Sequence, residues 1–104
     1  MRFGSWHRLQ DAADAAPRTS GVVQVRREHG LTAYPRGKSA MILYAAADDL
    51  HAACARLAAD HPGAAWLCRF NRDSLADPAE AAARLIADFA ARFGRPPALP
   101  VTTI

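Results

Sequence analysis

Residues 20–57, SGVVQVRREHGLTAYPRGKSAMILYAAADDLHAACARL, decide the fold expected for this chain. The stretch holds an apolar strand pattern at 21–27 and an unbroken apolar run at 41–46, which is typical of a central strand. Asp48 follows the second run at once and is the expected N-cap of an amphipathic helix over 49–60. Two strands feeding a helix predict a mixed helix and sheet core.

The flanking sequence adds one strand and two helices. Residues 5–16 predict a short helix whose apolar stripe begins at Trp6. Residues 65–71 alternate between apolar and polar side chains, as in a strand with one buried face. Asp77 and the proline after it begin a helix over 78–93, which a glycine ends. The resulting order is α-β-β-α-β-α.

We therefore expect an α/β (α+β) fold in which a small, mainly antiparallel three-stranded sheet is flanked by helices. Its length predicts a single domain, residues 1–104, with a core at 20–97 and an extended, loose tail at 98–104. The connection at 28–40 is long for a hairpin. It is a functional loop, a disordered one, or one that contains a small extra strand at 31–34.

Composition narrows the class of protein only moderately. The net charge of +3 is compatible with a nucleic-acid partner and does not require one. Two cysteines are too few for a disulfide framework. No signal-peptide pattern or membrane-spanning run is present, so we expect a cytoplasmic chain with no membrane partner.

Four short motifs occur in a characteristic order along the chain. They are Ser20-Gly21-Val22-Val23, Tyr44-Ala45-Ala46, Asp48-Asp49-Leu50 and Phe93-Gly94-Arg95-Pro96-Pro97. With these motifs the chain resembles the GIY-YIG nuclease superfamily over roughly residues 17–100. The first two motifs stand where that family has its two signatures, the third where its helix starts, and the fourth where it has a closing turn. Tyr34 is spaced to serve as the second signature tyrosine instead of Tyr44, but the helix should start directly after that motif, which favours Tyr44.

The resemblance implies a chemistry for which this chain lacks most residues. Family members cleave a phosphodiester with two tyrosines, a helical arginine and a glutamate that holds a divalent metal. Here Val23 occupies the first tyrosine position, Ala53 lies near the arginine position, and Ala82 or Ala83 lies near the glutamate position. A catalytically inactive domain, a pseudoenzyme without a cofactor or metal site, is therefore the prediction.

Two alternatives stay open. Tyr44, Arg56 and Glu80 lie close enough to the family positions to form a rearranged metal-dependent endonuclease site, which would then need Mg²⁺ or Mn²⁺. The other alternative is a protein-interaction or oligomerisation domain. The sequence does not fix the oligomeric state.

The favoured function is nucleic-acid binding, or an accessory role, through a basic face. Its candidate residues gather around the end of the first strand, the long loop and the third strand: Arg26, Arg27, Arg36, Lys38 and Arg69. A face of this kind binds phosphates of DNA or RNA with a strong dependence on salt. The sequence does not distinguish DNA from RNA.

Overall fold

The computed structural model describes residues 1–104. Its elements, in chain order, are β1 His7–Arg8, α1 Leu9–Ala15, β2 Gly21–Arg27, β3 Thr32–Tyr34, β4 Gly37–Ser39, β5 Met41–Ala47, α2 Leu50–Asp60, β6 Trp66–Phe70 and α3 Pro78–Phe93. The main sheet has the order β1-β6-β2-β5 with every pair antiparallel, and β3 and β4 form a separate hairpin. The predicted α+β class, an antiparallel sheet flanked by helices, is confirmed.

The predicted order α-β-β-α-β-α corresponds to α1, β2, β5, α2, β6 and α3. The short strands were not all foreseen. β1 adds a fourth strand to the sheet. In the long connection, β3 matches the small extra strand that was one of the three expected outcomes, whereas its partner β4 was not expected.

Strand β2 lies in the middle of the sheet and is buried on both sides. Val23 and Val25 belong to the larger core, which α1 and α2 build with Leu43 and Cys68. We call this side the α1/α2 face. Because side chains alternate along a strand, Val22 points to the other side, where it packs against Ala82 of α3. We call that side the α3 face.

Helix α3 covers only part of its face. It packs on β5 and on β2, and it runs from Ala82 beside Ala46 to Phe89 beside Tyr44. Gln24 pairs with Arg69 in register on the neighbouring strand β6, and both lie on this face by alternation with Val22. Beside the helix, side chains cover the β2 and β6 part of this face, since Gln24 is only 3% exposed and Phe3 packs on the cluster of Val22.

The helix starts agree with sequence expectations, with one shift. Asp77 caps α3 by accepting a hydrogen bond from Glu80 N–H at 3.0 Å, as expected. The cap of α2 is Asp49 and not Asp48, since the Asp49 carboxylate accepts from Ala52 N–H at 3.0 Å. Asp48 and Asp49 offer the same cap chemistry. Strand β5 runs one residue further than expected, to Ala47, and the cap moves by one residue to Asp49.

Both chain ends differ from prediction because each one pairs with an edge of the sheet. The first helix begins at Leu9 and not near residue 5, since His7 pairs with Cys68 and makes β1. The tail is not loose: Leu99 N–H donates to Ile42 O at 3.0 Å, and Thr102 and Ile104 hydrogen-bond to Ala46. The two ends thereby cover the backbone edges of β6 and β5.

None of the three helices combines the length and the apolar character that crossing a bilayer requires.

Candidate functional site

Two arginines and a tryptophan meet on the α3 face, beside the helix and over strands β2 and β6. The guanidinium carbon of Arg26 lies 4.3 Å from the centroid of the Trp6 ring, and that of Arg69 also lies 4.3 Å from it. Arg69 is in addition 5.0 Å from the ring of Phe3. We call Arg26, Arg69 and Trp6 the arginine–tryptophan cluster. Cation–π contacts of this length hold each guanidinium plane in a defined place.

The strand register builds this cluster. Arg26 and Arg69 lie diagonally across β2 and β6, because Gln24 is the residue directly opposite Arg69. The Gln24 side chain is almost fully buried, and its Oε1 accepts a hydrogen bond of 2.7 Å from Arg69 Nε. A buried amide therefore orients the Arg69 guanidinium and leaves its two terminal nitrogens free.

Tyr44 extends the same row across the sheet, since it is paired with Gln24 from the β5 side. Its ring packs edge-on against Phe89 at a centroid distance of 6.2 Å. Burial raises the pKa of Tyr44, and the positive charge of Arg69 opposes that rise. The Tyr44 hydroxyl has no hydrogen-bond partner in the chain, so it is free to donate to a ligand.

Tyr34, the other candidate for the signature tyrosine, is used differently. Its hydroxyl donates to Met41 O at 2.9 Å and accepts from Ala98 N–H at 3.0 Å. The residue is buried, and its ring packs on Phe89 at 4.9 Å. Tyr34 therefore joins the hairpin to the tail, and its polar atom is already occupied.

The cluster carries positive charge that no carboxylate neutralises. Five other arginines form ion pairs with an aspartate or glutamate: Arg2, Arg8, Arg18, Arg56 and Arg84. Arg26 and Arg69 form none. Burial lowers the pKa of Arg69, and the nearby charge of Arg26 lowers it further. Two like charges are thus held close together, an arrangement that a bound anion would stabilise.

The other three predicted binding residues lie elsewhere, so the five do not form one basic face. Arg27 follows Arg26 on β2 and lines a cleft with His29 and Trp66 on the other side of the strand. Arg36 donates to the carbonyls of Ala90 and Ala91 at the end of α3. It acts as a helix C-terminal cap, which the local sequence does not reveal.

Lys38 lies on β4, where it pairs with Ala33 of the hairpin, and its side chain is exposed. It has no ion-pair partner. Among the predicted binding residues the structure therefore brings together Arg26 and Arg69 alone.

The three residues of the rearranged nuclease site do not converge. Tyr44 lies on the α3 face. Arg56 lies on the solvent side of α2, where it pairs with Asp60 at 3.6 Å, and the opposite side of α2 packs on the α1/α2 face. The sheet and a helix therefore separate Arg56 from Tyr44.

Glu80 is exposed near the start of α3 and forms an ion pair with Arg84 at 3.3 Å. No group of three or more histidine, cysteine, aspartate or glutamate side chains is placed to hold a metal ion. A lone carboxylate that already faces an arginine does not fit the metal that the nuclease alternative requires.

Trp6 and Gln24 were not among the predicted binding residues. Trp6 was expected on the apolar stripe of the first helix, but it precedes β1 and belongs to neither apolar core cluster. Gln24 gave a local signal, because it is the one polar residue among the first five of β2. Its partner Arg69 is distant in sequence, and only the strand register places the two together.

The chain was also compared with known proteins. No protein-family model matches it, and neither does any curated protein or solved structure.

Proposed function

We propose that this protein binds nucleic acid through the arginine–tryptophan cluster, as a non-catalytic binding or accessory module. The observation that carries the proposal is the pair of guanidiniums, Arg26 and Arg69, both in contact with Trp6 and neither paired with a carboxylate. Arginine is the side chain best suited to phosphate, because its fork of N–H donors matches the phosphate oxygens.

The free protein leaves the positive charges of Arg26 and Arg69 without a counter-charge. Arg69 has a lowered pKa because it is partly buried and faces Arg26. A phosphate between the two guanidiniums would replace that repulsion with two attractions, and Gln24 already orients one of the arginines. The free Tyr44 hydroxyl would add a neutral donor at the same site.

Membership in the GIY-YIG superfamily stays a prediction, and so does a cytoplasmic location. Catalysis is not part of the proposal, because Tyr44, Arg56 and Glu80 are far apart in the fold. The binding proposal needs neither the family nor a metal. It needs only the cluster on the α3 face.

The test is the salt dependence of binding to a fluorescein-labelled oligonucleotide, followed by fluorescence anisotropy. Affinity should fall steeply as salt rises, since each neutralised phosphate contributes a slope of about 0.7 to 0.9. Arg26→Ala and Arg69→Ala should each weaken binding and each reduce the slope by about one.

Arg56→Ala is the matched control, because it removes the same charge from the opposite side of the molecule. It should leave both affinity and slope close to those of the parent protein. If Arg56→Ala weakens binding as much as Arg26→Ala, the attraction is a general charge effect and the proposed site is wrong. Absence of any binding at low salt would reject the function itself.

A further inference from the structure

We infer that the nucleic acid bound at the arginine–tryptophan cluster is single-stranded, with a base stacked on the cluster while the phosphate meets the arginines. This inference rests on the proposed function and specifies its ligand. The carrying observation is the partly exposed Trp6 ring, which lies outside both apolar cores and contacts the two arginines.

A duplex offers no base to this ring. Its bases are paired and stacked on one another, so only its phosphates and groove edges reach a protein surface. A duplex would therefore meet the two arginines through its phosphates and gain nothing from stacking on Trp6.

A single strand offers unpaired bases, which are free to turn toward flat side chains. Trp6 stands beside the two arginines on this face, while the neighbouring Phe3 packs on the smaller core with Val22. An aromatic ring beside positively charged side chains is the arrangement that binds single strands without strong sequence preference.

Trp6 contributes to neither apolar core. It is partly exposed, and its ring contacts the two guanidiniums. Large aromatic residues usually contribute to a core through their buried area. Trp66, in contrast, packs at the margin of the larger core and beside His61 at 4.7 Å. The exposed part of the Trp6 ring, beside the two guanidiniums, is therefore where a base would stack.

The test compares three labelled probes by fluorescence anisotropy: a mixed-sequence single strand, its duplex, and an abasic single strand of the same length. The single strand is made as DNA and as RNA. At least one of the two should bind about tenfold or more tightly than the duplex. The abasic strand and the Trp6→Ala variant should each lose about fivefold to a hundredfold, the share expected from one stacked base.

Trp66→Phe is the matched control, because it alters a tryptophan on the α1/α2 face and should leave binding unchanged. It also leaves Trp6 as the only tryptophan in the chain. In that variant the single strand should quench Trp6 fluorescence, whereas the abasic strand should not. This second readout needs no change at Trp6 and so does not depend on the Trp6→Ala variant.

The outcomes separate the inference from the proposed function. Equal affinity for duplex and single strand, with Trp6→Ala unaffected and Arg69→Ala still impaired, overturns the inference and leaves the binding function in place. Equal affinity for the abasic strand does the same. Absence of binding to all three probes overturns both.

Discussion

Gly21→Ala should destabilise the protein far more than a substitution at an exposed position, because there is no room for the added methyl group. A Cβ on Gly21 would overlap with Asn71 Oδ1 and would lie 2.9 Å from Leu50 Cδ1. Asn71 is buried, and its Oδ1 accepts the Val22 N–H at 2.7 Å. The added methyl group therefore forces out the side chain that ties the end of β6 to β2.

The cost has two parts. Overpacking of a tight site costs about 1–3 kcal/mol. Displacement of Asn71 leaves the buried Val22 N–H without a partner, for about 1–3 kcal/mol more. The free energy of unfolding should therefore fall by about 2–6 kcal/mol, a large share of the usual total of about 5–15 kcal/mol.

The assay is urea unfolding followed by circular dichroism, as a double-mutant cycle with Asn71→Ala. Once Asn71 is truncated, alanine at position 21 has no oxygen to displace. The double variant should therefore be less destabilised than the sum of the single variants, by about 1–3 kcal/mol. Gly4→Ala is the control, since its nearest neighbour would lie at an ordinary 3.5 Å. Additive effects in the cycle, or a Gly21→Ala variant as stable as Gly4→Ala, would refute the reasoning.

Three further predictions concern single side chains. Arg36→Ala should lower the free energy of unfolding by about 0.5–1 kcal/mol in urea, because the side chain caps α3; no change would mean that the cap is unoccupied in solution. A hydrogen bond from the Ala52 backbone holds the pKa of Asp49 below its ordinary 3.8. The stability that the Asp49 carboxylate contributes is therefore fully present above pH 3.8 and is lost as the pH falls through the lower pKa of the folded state. Asp49→Asn keeps the cap but cannot titrate, so its urea midpoint should fall less than that of the parent between about pH 5 and about pH 3; parallel curves would contradict this. The pKa of Tyr44 should rise further in Arg69→Ala, since the charge of Arg69 opposes the effect of burial. Ultraviolet titration of the phenol measures this pKa, and an unchanged value would mean that Arg69 does not act on Tyr44.

Local patterns were enough for the central part of the fold. The apolar runs at 21–27 and 41–46 predicted β2 and β5, and the sequence Asp77-Pro78 predicted the first turn of α3. Each of these signals acts within one element, where hydrogen bonds and burial depend on nearby residues. Elements of this kind can be predicted from one sequence.

The chain ends and the site depend on contacts between distant residues. Residues His7 and Arg8 became a strand because the edge of β6 was available to them. Arg26 and Arg69 met because the register of β2 and β6 brought them to one face. No local pattern encodes such pairings, so five basic residues looked equivalent in sequence although only two of them share a site.

The most direct test of the arginine–tryptophan cluster as a phosphate site is a nuclear magnetic resonance titration with an unlabelled single-stranded oligonucleotide. The Nε–H signals of Arg26 and Arg69 and the indole N–H of Trp6 should shift together and saturate at one ligand concentration. The account is contradicted if these three signals stay in place while those of Arg36 and Lys38 move.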